Sequence, residues 1–392
     1  MSTRTQTFVA LALAALALRP ELVGVGPLQG DLRDDLGVSR AAVGVLTSLP
    51  LIGMGVFALT AAPVAARLGT RRAFGLALWV VLLASVARSV APGYAAVVAA
   101  TLVFAVGQGL ANALPPTVVK ERLPADTTRG TATYATGLQV GAAIAATLAV
   151  PLATVFGGWR GSLLVLALLP AIAAVSWPLL VHHVAGARDA LRSPRGAPAG
   201  TAPRLRLRLA ALFACMSIAY YGTIAWIAAD LDDAGWSSSY AGVALGVLSA
   251  VSIGSTILYG AVGDSVGSRN GWLAAAFAGM LVGIVGVLAL PAAGLLWAAC
   301  FGAGNGAGFG SVMTLPLDLV GDPAGVVGLT GPMLLGGYVL AAASPPLVGL
   351  LRDVSGSFVP GFLLLAALCL LGIVQSFSSA LRPRAVAALS RT

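Results

Sequence analysis

Residues 31–48, "DLRDDLGVSRAAVGVLTS", return at residues 230–249 as "DLDDAGWSSSYAGVALGVLS". At one constant shift of 198 positions Asp35 meets Asp233, Gly37 meets Gly235, Ser39 meets Ser237, Gly44 meets Gly242, Gly69 meets Gly267 and Arg71 meets Arg269. Further on, "FAVGQGLAN" and "FGAGNGAGF" match at a shift of 197, which sets Gly107 on Gly304, Gln108 on Asn305 and Gly109 on Gly306. A shift that hardly drifts over such a distance marks an internal duplication: two halves of one architecture in one chain.

What each half contains follows from composition. Of 392 residues 58% are hydrophobic and 9% charged, against about 25% charged in soluble domains. Apolar runs of ~20 residues, each able to cross ~30 Å of hydrocarbon as a helix, fall at about 7–29, 41–66, 73–90, 94–119, 130–155, 161–183, 208–229, 240–262, 271–290, 294–317, 326–350 and 358–380. The predicted fold is therefore an all-α membrane protein of twelve transmembrane helices in two pseudo-symmetric halves. These are an N-terminal six-helix half over 1–183, an Arg/Pro/Gly/Ala-rich linker over 184–207, a C-terminal six-helix half over 208–381 and a tail over 382–392.

Cations orient the spans. Arg4, Arg67, Arg71, Arg72, Lys120, Arg122, Arg129, the linker arginines, Arg269 and the tail arginines fall on one side. The other side has Arg33, Arg40, Arg88, Arg160 and Arg352, and Arg19 is the one cation left inside a span. Both termini are expected in the cytoplasm and the protein in the cell membrane. The net charge of +9 reflects this asymmetry, not a nucleic-acid partner. The start, with "ALA" at 15–17, mimics a cleavable signal peptide, but the first span has a repeat partner and is expected to stay. Cys215, Cys300 and Cys369 lie in apolar spans and read as small core residues.

Two six-helix halves of like orientation resemble the major facilitator superfamily, whose halves rock about a midplane site. "GAVGDSVGSR" (260–269) resembles its loop motif. Asp264 there would meet a helix N-terminus or an arginine when the gate is shut, and Arg269 is the motif's basic residue. The first-half counterpart "APVAARLGTRR" (62–72) departs from it, with Ala62 for the Gly and Ala66 for the Asp. "LRPELVGVGPL" (18–28), "LTSLPLIGMG" (46–55), "LPPTVVKERLP" (114–124) and "YATGLQVGAAIAA" (134–146) narrow the likeness to the cyanate and 2-nitroimidazole transporter family. The Arg19-Pro20 pair is the most specific of these marks, and Glu21 departs from the expected small or apolar residue.

Arg19 lies about one residue from the centre of its expected span, where a cation costs roughly 2.5–3.5 kcal/mol. It reads as a substrate contact or as a structural group on carbonyls freed by Pro20, which removes one helix hydrogen bond. Glu21 has three readings: a carrier of a coupled proton, half of a structural ion pair, or a group at the cavity mouth. Residues two apart on a helix point about 200° apart, so pairing with Arg19 requires the Pro20 distortion. Gln108, Gln139, Tyr220, Tyr221, Asn305 and Tyr338 lie near mid-span, with Asn112 a turn below Gln108. Each is a candidate substrate contact or an interhelical hydrogen bond worth about 0.6 kcal/mol. As repeat mates, Gln108 and Asn305 are candidates to face each other across the pseudo-twofold axis, and Tyr220 and Tyr221 are not expected both to face inward. Lys120 is the chain's one lysine and reads as a snorkelling anchor or a gating group. His182 and His183 read as interfacial.

The sequence has no phosphate loop and no metal-ligand cluster, so the protein is expected not to be an enzyme, to need no cofactor and to draw on a gradient. The leading reading is a secondary transporter of a small anionic or polar, nitrogen-containing solute, expected to be monomeric in the lipid bilayer. A broad drug or metabolite efflux carrier is the alternative, with a larger aromatic cavity and transport insensitive to Arg19; a non-transporting receptor is the third. Cysteines introduced in 184–207 should react with an impermeant thiol reagent only from the cytoplasmic side; labelling from outside intact cells overturns this topology.

Overall fold

The computed structural model describes residues 2–38, 40–181, 202–236, 238–265 and 268–377. The expected linker as far as residue 201, the tail, His182, His183, Ser39, Ser237 and Gly267 lie outside the described residues. Every regular element among the described residues is helical. The first span is Thr3–Val23, the third Thr70–Val90, the fourth Tyr94–Arg122, the fifth Thr127–Val155 and the sixth Trp159–Leu180. The seventh is Pro203–Ile227, the eighth Gly242–Val262, the ninth Arg269–Ala289, the eleventh Pro323–Ser355 and the twelfth Val359–Ser376. The second is a bent pair, Ser48–Ala58 with Ala61–Leu68, at 56°. The tenth, Gly294–Leu319, runs 26 residues but falls short of the others in apolarity because its glycines add little hydropathy.

The bend in the second span was not expected, and proline chemistry explains it. Pro63 has no amide to give the Leu59 carbonyl, and the amides of Leu59 and Thr60 shorten to three-residue bonds onto Val56 and Phe57.

The chain forms two compact units, residues 1–196 with 321–331, and residues 197–320 with 332–392. Within each, large apolar side chains such as Leu83, Leu179 and Val374 remain 63%, 68% and 70% exposed, as lipid-facing residues should. Helices meet inside a unit through small residues, the expected solution where burial of apolar surface drives little association. Repeat mates perform matching tasks. A Cβ on Gly107 would meet Val81 of the third span at 2.9 Å, and one on Gly304 would meet the Ala276 carbonyl of the ninth at 2.3 Å. Two residues on, on the opposite side of the helix, Gly109 lies against Phe57 of the second span and Gly306 against the Ser252 carbonyl of the eighth, at 2.6 and 2.0 Å from the added carbon. The sequence repeat is thus a repeat of helix contacts.

Loop ends repeat as well. Gly37 and Gly235 both take positive φ, 63° and 88°. Asp35 accepts a hydrogen bond from Trp159 at 3.0 Å and pairs with Arg160; these contacts hold its carboxyl below the usual carboxylate range. Such a pair stabilises the fold above the ordinary carboxylate pKa and is lost as pH falls through the lowered value, though exposure keeps the effect small. Its repeat mate Asp233 pairs with Arg352 at 3.1 Å.

The first span lies along the fifth, where a Cβ on Gly141 would stand 2.2 Å from the Leu16 carbonyl. Gly141→Val should therefore cost about 1–3 kcal/mol by overpacking and lower the melting temperature in detergent. Gly30→Ala, with open space around it, should leave melting unchanged; equal melting of both variants would show that this contact is not tight.

Candidate functional site

The first span is two helices, Thr3–Leu18 and Pro20–Val23, with Arg19 between them at φ −94°, ψ −31°. Pro20 has no amide for Leu16. The Leu22 amide also departs from the helical pattern, reaching Arg19 O at 3.1 Å, before Val23 and Gly24 return to it with bonds to Arg19 O at 2.9 Å and Pro20 O at 2.8 Å. Leu18 O therefore lacks its helical donor, Leu22, and takes the Gln108 side-chain amide of the fourth span instead. Glu21 O takes Arg88 Nη1 of the third span at 3.0 Å. The break is held by three neighbouring helices, through Gln108, Arg88 and the bare face of Gly141.

From Gln108 a buried polar chain continues. Asn112 donates to Gln108 Oε1 at 2.9 Å and to its carbonyl at 2.8 Å, and the Tyr134 hydroxyl donates to Asn112 Oδ1 at 3.0 Å. Gln108, Asn112 and Tyr134 are all buried, so this chain ties the first, fourth and fifth spans together. Tyr134 was not singled out by sequence, although it opens one of the blocks that carry the family likeness.

Arg88 corrects an expectation. It was placed among the loop cations of the outer side, yet it lies in the last turn of the third span, 1% exposed, over the Phe104 ring at 5.0 Å. Arg19 is therefore not the one cation inside a span. Glu21 is 0% exposed and its ion-pair partner is Arg88, at 3.8 Å, which excludes the cavity mouth in this conformation and makes Arg88, not Arg19, its partner. Two residues from the end of an apolar run, Arg88 looked like a loop cation; only the approach of the first helix reveals its partner. The helix starts at Thr3 and Arg4 pairs with Asp126 at 2.7 Å, which sets Arg19 about 22 Å of helix rise beyond Arg4.

The remaining candidates divide. Arg19 and Gln139 are half-buried, as are Tyr220 and Tyr221, whose rings meet edge to face at 5.1 Å. Asn305 is buried and donates to Ser252 of the eighth span at 3.0 Å. Tyr338 is buried edge-on to Phe213 at 5.3 Å. Lys120 is half-buried near the end of the fourth span.

Arg269 gathers Asp264 at 2.6 Å, Asp318 at 2.7 Å and the Tyr259 hydroxyl at 2.8 Å. Its first-half mate Arg71 instead caps the sixth span, donating to the carbonyls of Val181 and Pro178, while Thr70 holds Glu121 at 2.6 Å. With Ala66 where Asp264 has its mate, the first half has no acid there to gather. Among the described residues no group of three or more His, Cys, Asp or Glu is placed to hold a metal.

Two units of repeated helix contacts, with broken spans and charged and polar groups at membrane depth, define a multi-pass membrane carrier. The chain belongs to the major facilitator superfamily, whose family model matches residues 7–342. It is 31% identical to an uncharacterized transporter, YycB, of Bacillus subtilis (strain 168), over 91% of this chain and 89% of that protein. It is 30% identical to the 2-nitroimidazole transporter of Escherichia coli (strain K12), with 92% of each chain covered, and 28% identical to the cyanate transport protein CynX of the same strain, over 93% and 94%. Among solved structures, FucP in the outward conformation superposes with a TM-score of 0.77 at 12% identity, covering 96% and 99% of the two chains. The proton:xylose symporter XylE superposes at 0.74, 13%, 95% and 95%. The protein is a secondary transporter and not an enzyme.

Asn112→Leu would take the donor from the buried Gln108 Oε1, costing about 1–3 kcal/mol, and would also remove the acceptor that the Tyr134 hydroxyl uses. Tyr134→Phe would strand only Asn112 Oδ1. Thermal melting in detergent should fall further for Asn112→Leu; the opposite order would show that the chain does not bind these helices together.

Proposed function

We propose that the carrier moves a small anionic or polar, nitrogen-containing solute of the cyanate or nitroimidazole kind across the cytoplasmic membrane by alternating access, with both termini inside. The observation that supports this reading is Arg19, half-buried at the break of the first span, in a chain about 30% identical to carriers named for those solutes. A planar guanidinium with five donors suits an acceptor that takes two hydrogen bonds at once, as a nitro group does, and its charge suits an anion. Gln139, Tyr220, Tyr221 and Tyr338 are the further contacts in this reading. Gln108, Asn112 and Asn305 shape the site through the interhelical bonds they already make.

Arg269 with Asp264, and Lys120 at the end of the fourth span, are the gating groups. The two halves, 1–183 and 208–381, move about the linker 184–207, and because one chain supplies both halves the monomer is the working unit. Glu21, whose carboxylate lies beside Arg88, is assigned to that pair rather than to a transported proton.

The test is binding by purified variants, read as a thermal shift with cyanate and with 2-nitroimidazole, since a ligand of the folded state stabilises it by mass action. Arg19→Lys keeps the charge but loses the fork and should bind weakly. Arg19→Gln should lose about tenfold or more, equivalent to about 1.4 kcal/mol, while melting normally without ligand. Wild-type affinity in well-folded Arg19→Gln would overturn the assignment.

A further inference from the structure

The ion pair buried beside the break has an unequal geometry. Glu21 and Arg88 are 0% and 1% exposed, yet their closest charged atoms are 3.8 Å apart. Neither Glu21 carboxylate oxygen nor Arg88 Nε makes a hydrogen bond of good geometry, and the buried Ser85 hydroxyl is the carboxylate's other polar neighbour. The directional contact is with the main chain: Arg88 Nη1 donates to the Glu21 carbonyl at 3.0 Å, with the Phe104 ring under the guanidinium at 5.0 Å. A buried pair offsets its desolvation only where geometry is excellent, so the weak carboxylate contact is not what makes Arg88 useful here. The carbonyl it holds belongs to the turn that follows Arg19, where the helix ladder is already broken.

We propose that Arg88 is a positioning residue for substrate recognition: by donating to the Glu21 carbonyl it fixes the turn that presents Arg19, and the Glu21 carboxylate is the counter-charge that lets a guanidinium be buried there. This rests on Arg19 as the recognition group, so one arm of the test needs no substrate.

Two double variants remove both buried charges and differ in the carbonyl donor. Glu21→Gln/Arg88→Gln keeps a side-chain amide donor, shorter than arginine, at position 88; Glu21→Gln/Arg88→Met keeps none. Replacing both partners of a buried pair is commonly tolerated, so both should melt near wild type. The first readout is the rate at which a small anionic methanethiosulfonate labels Arg19→Cys in each background, corrected for the same background without that cysteine. Loss of one buried hydrogen bond should change the rate about fivefold in the methionine background and leave the glutamine background near the parent. Rates equal to the parent in both backgrounds overturn the proposal.

The second readout is affinity for cyanate and 2-nitroimidazole with Arg19 present, expected about tenfold weaker with methionine than with glutamine. Wild-type affinity in both backgrounds also overturns the role. If wild type binds neither probe while the labelling rates differ, the assigned solute class fails and the role of Arg88 stands. Should the doubles not fold, Phe104→Leu removes the ring beneath the guanidinium and leaves both charges. A shifted labelling rate at position 19 then supports the role, and an unchanged rate overturns it.

Discussion

A missing amide organises the first unit. Pro20 gives no hydrogen to Leu16, and Leu22 shortens its bond to Arg19, so carbonyls near Arg19 need donors from elsewhere in a medium where water does not supply them. Each neighbour answers with what its sequence provides. The fifth span offers Gly141, whose lack of a side chain lets the Leu16 carbonyl come close; the fourth offers Gln108 and the third Arg88. The break in the helix is also what recruits three helices to hold it, which is how a segment with missing helical bonds can present a cation at a fixed place.

The duplication is retained where packing demands it and abandoned where chemistry differs. Gly107 and Gly109 do for the first half what Gly304 and Gly306 do for the second, because two helices can approach a third only where no Cβ intervenes. Between those glycines the paired polar residues diverge: Gln108 is long enough to reach the Leu18 carbonyl, whereas the shorter Asn305 stops at Ser252. One methylene separates a residue that secures a broken helix from one that joins two intact ones.

The same divergence governs the charged ends. Arg269 pairs with two acids and a tyrosine hydroxyl of its own unit. Arg71 lacks an acid at the position of Asp264 and binds the last carbonyls of the sixth span, where a cation is favoured by the helix dipole. Both arginines close a helix end, but charge pairing in the second half can be broken by moving an acid, while capping in the first half holds a helix terminus in place.

The sequence by itself determined the number and order of the spans, their duplication and the Arg19-Pro20 break, because these depend on hydropathy, spacing and the chemistry of one residue type. It also named an arginine as one of two partners open to Asp264, the other being a helix N-terminus. It did not determine the partner of Glu21 or the true setting of Arg88. These two residues are 67 positions apart, and a cation two residues from the end of an apolar run looks the same whether it faces water or a carboxylate. The bend of the second span was written in Pro63 but hidden by an unbroken apolar run. Which of Gln108, Asn112 and Asn305 already have their hydrogen bonds filled, and which side chains such as Arg19 remain half-buried, was decided only when the helices packed, since a polar group at membrane depth takes whichever partner the neighbouring helix brings within reach.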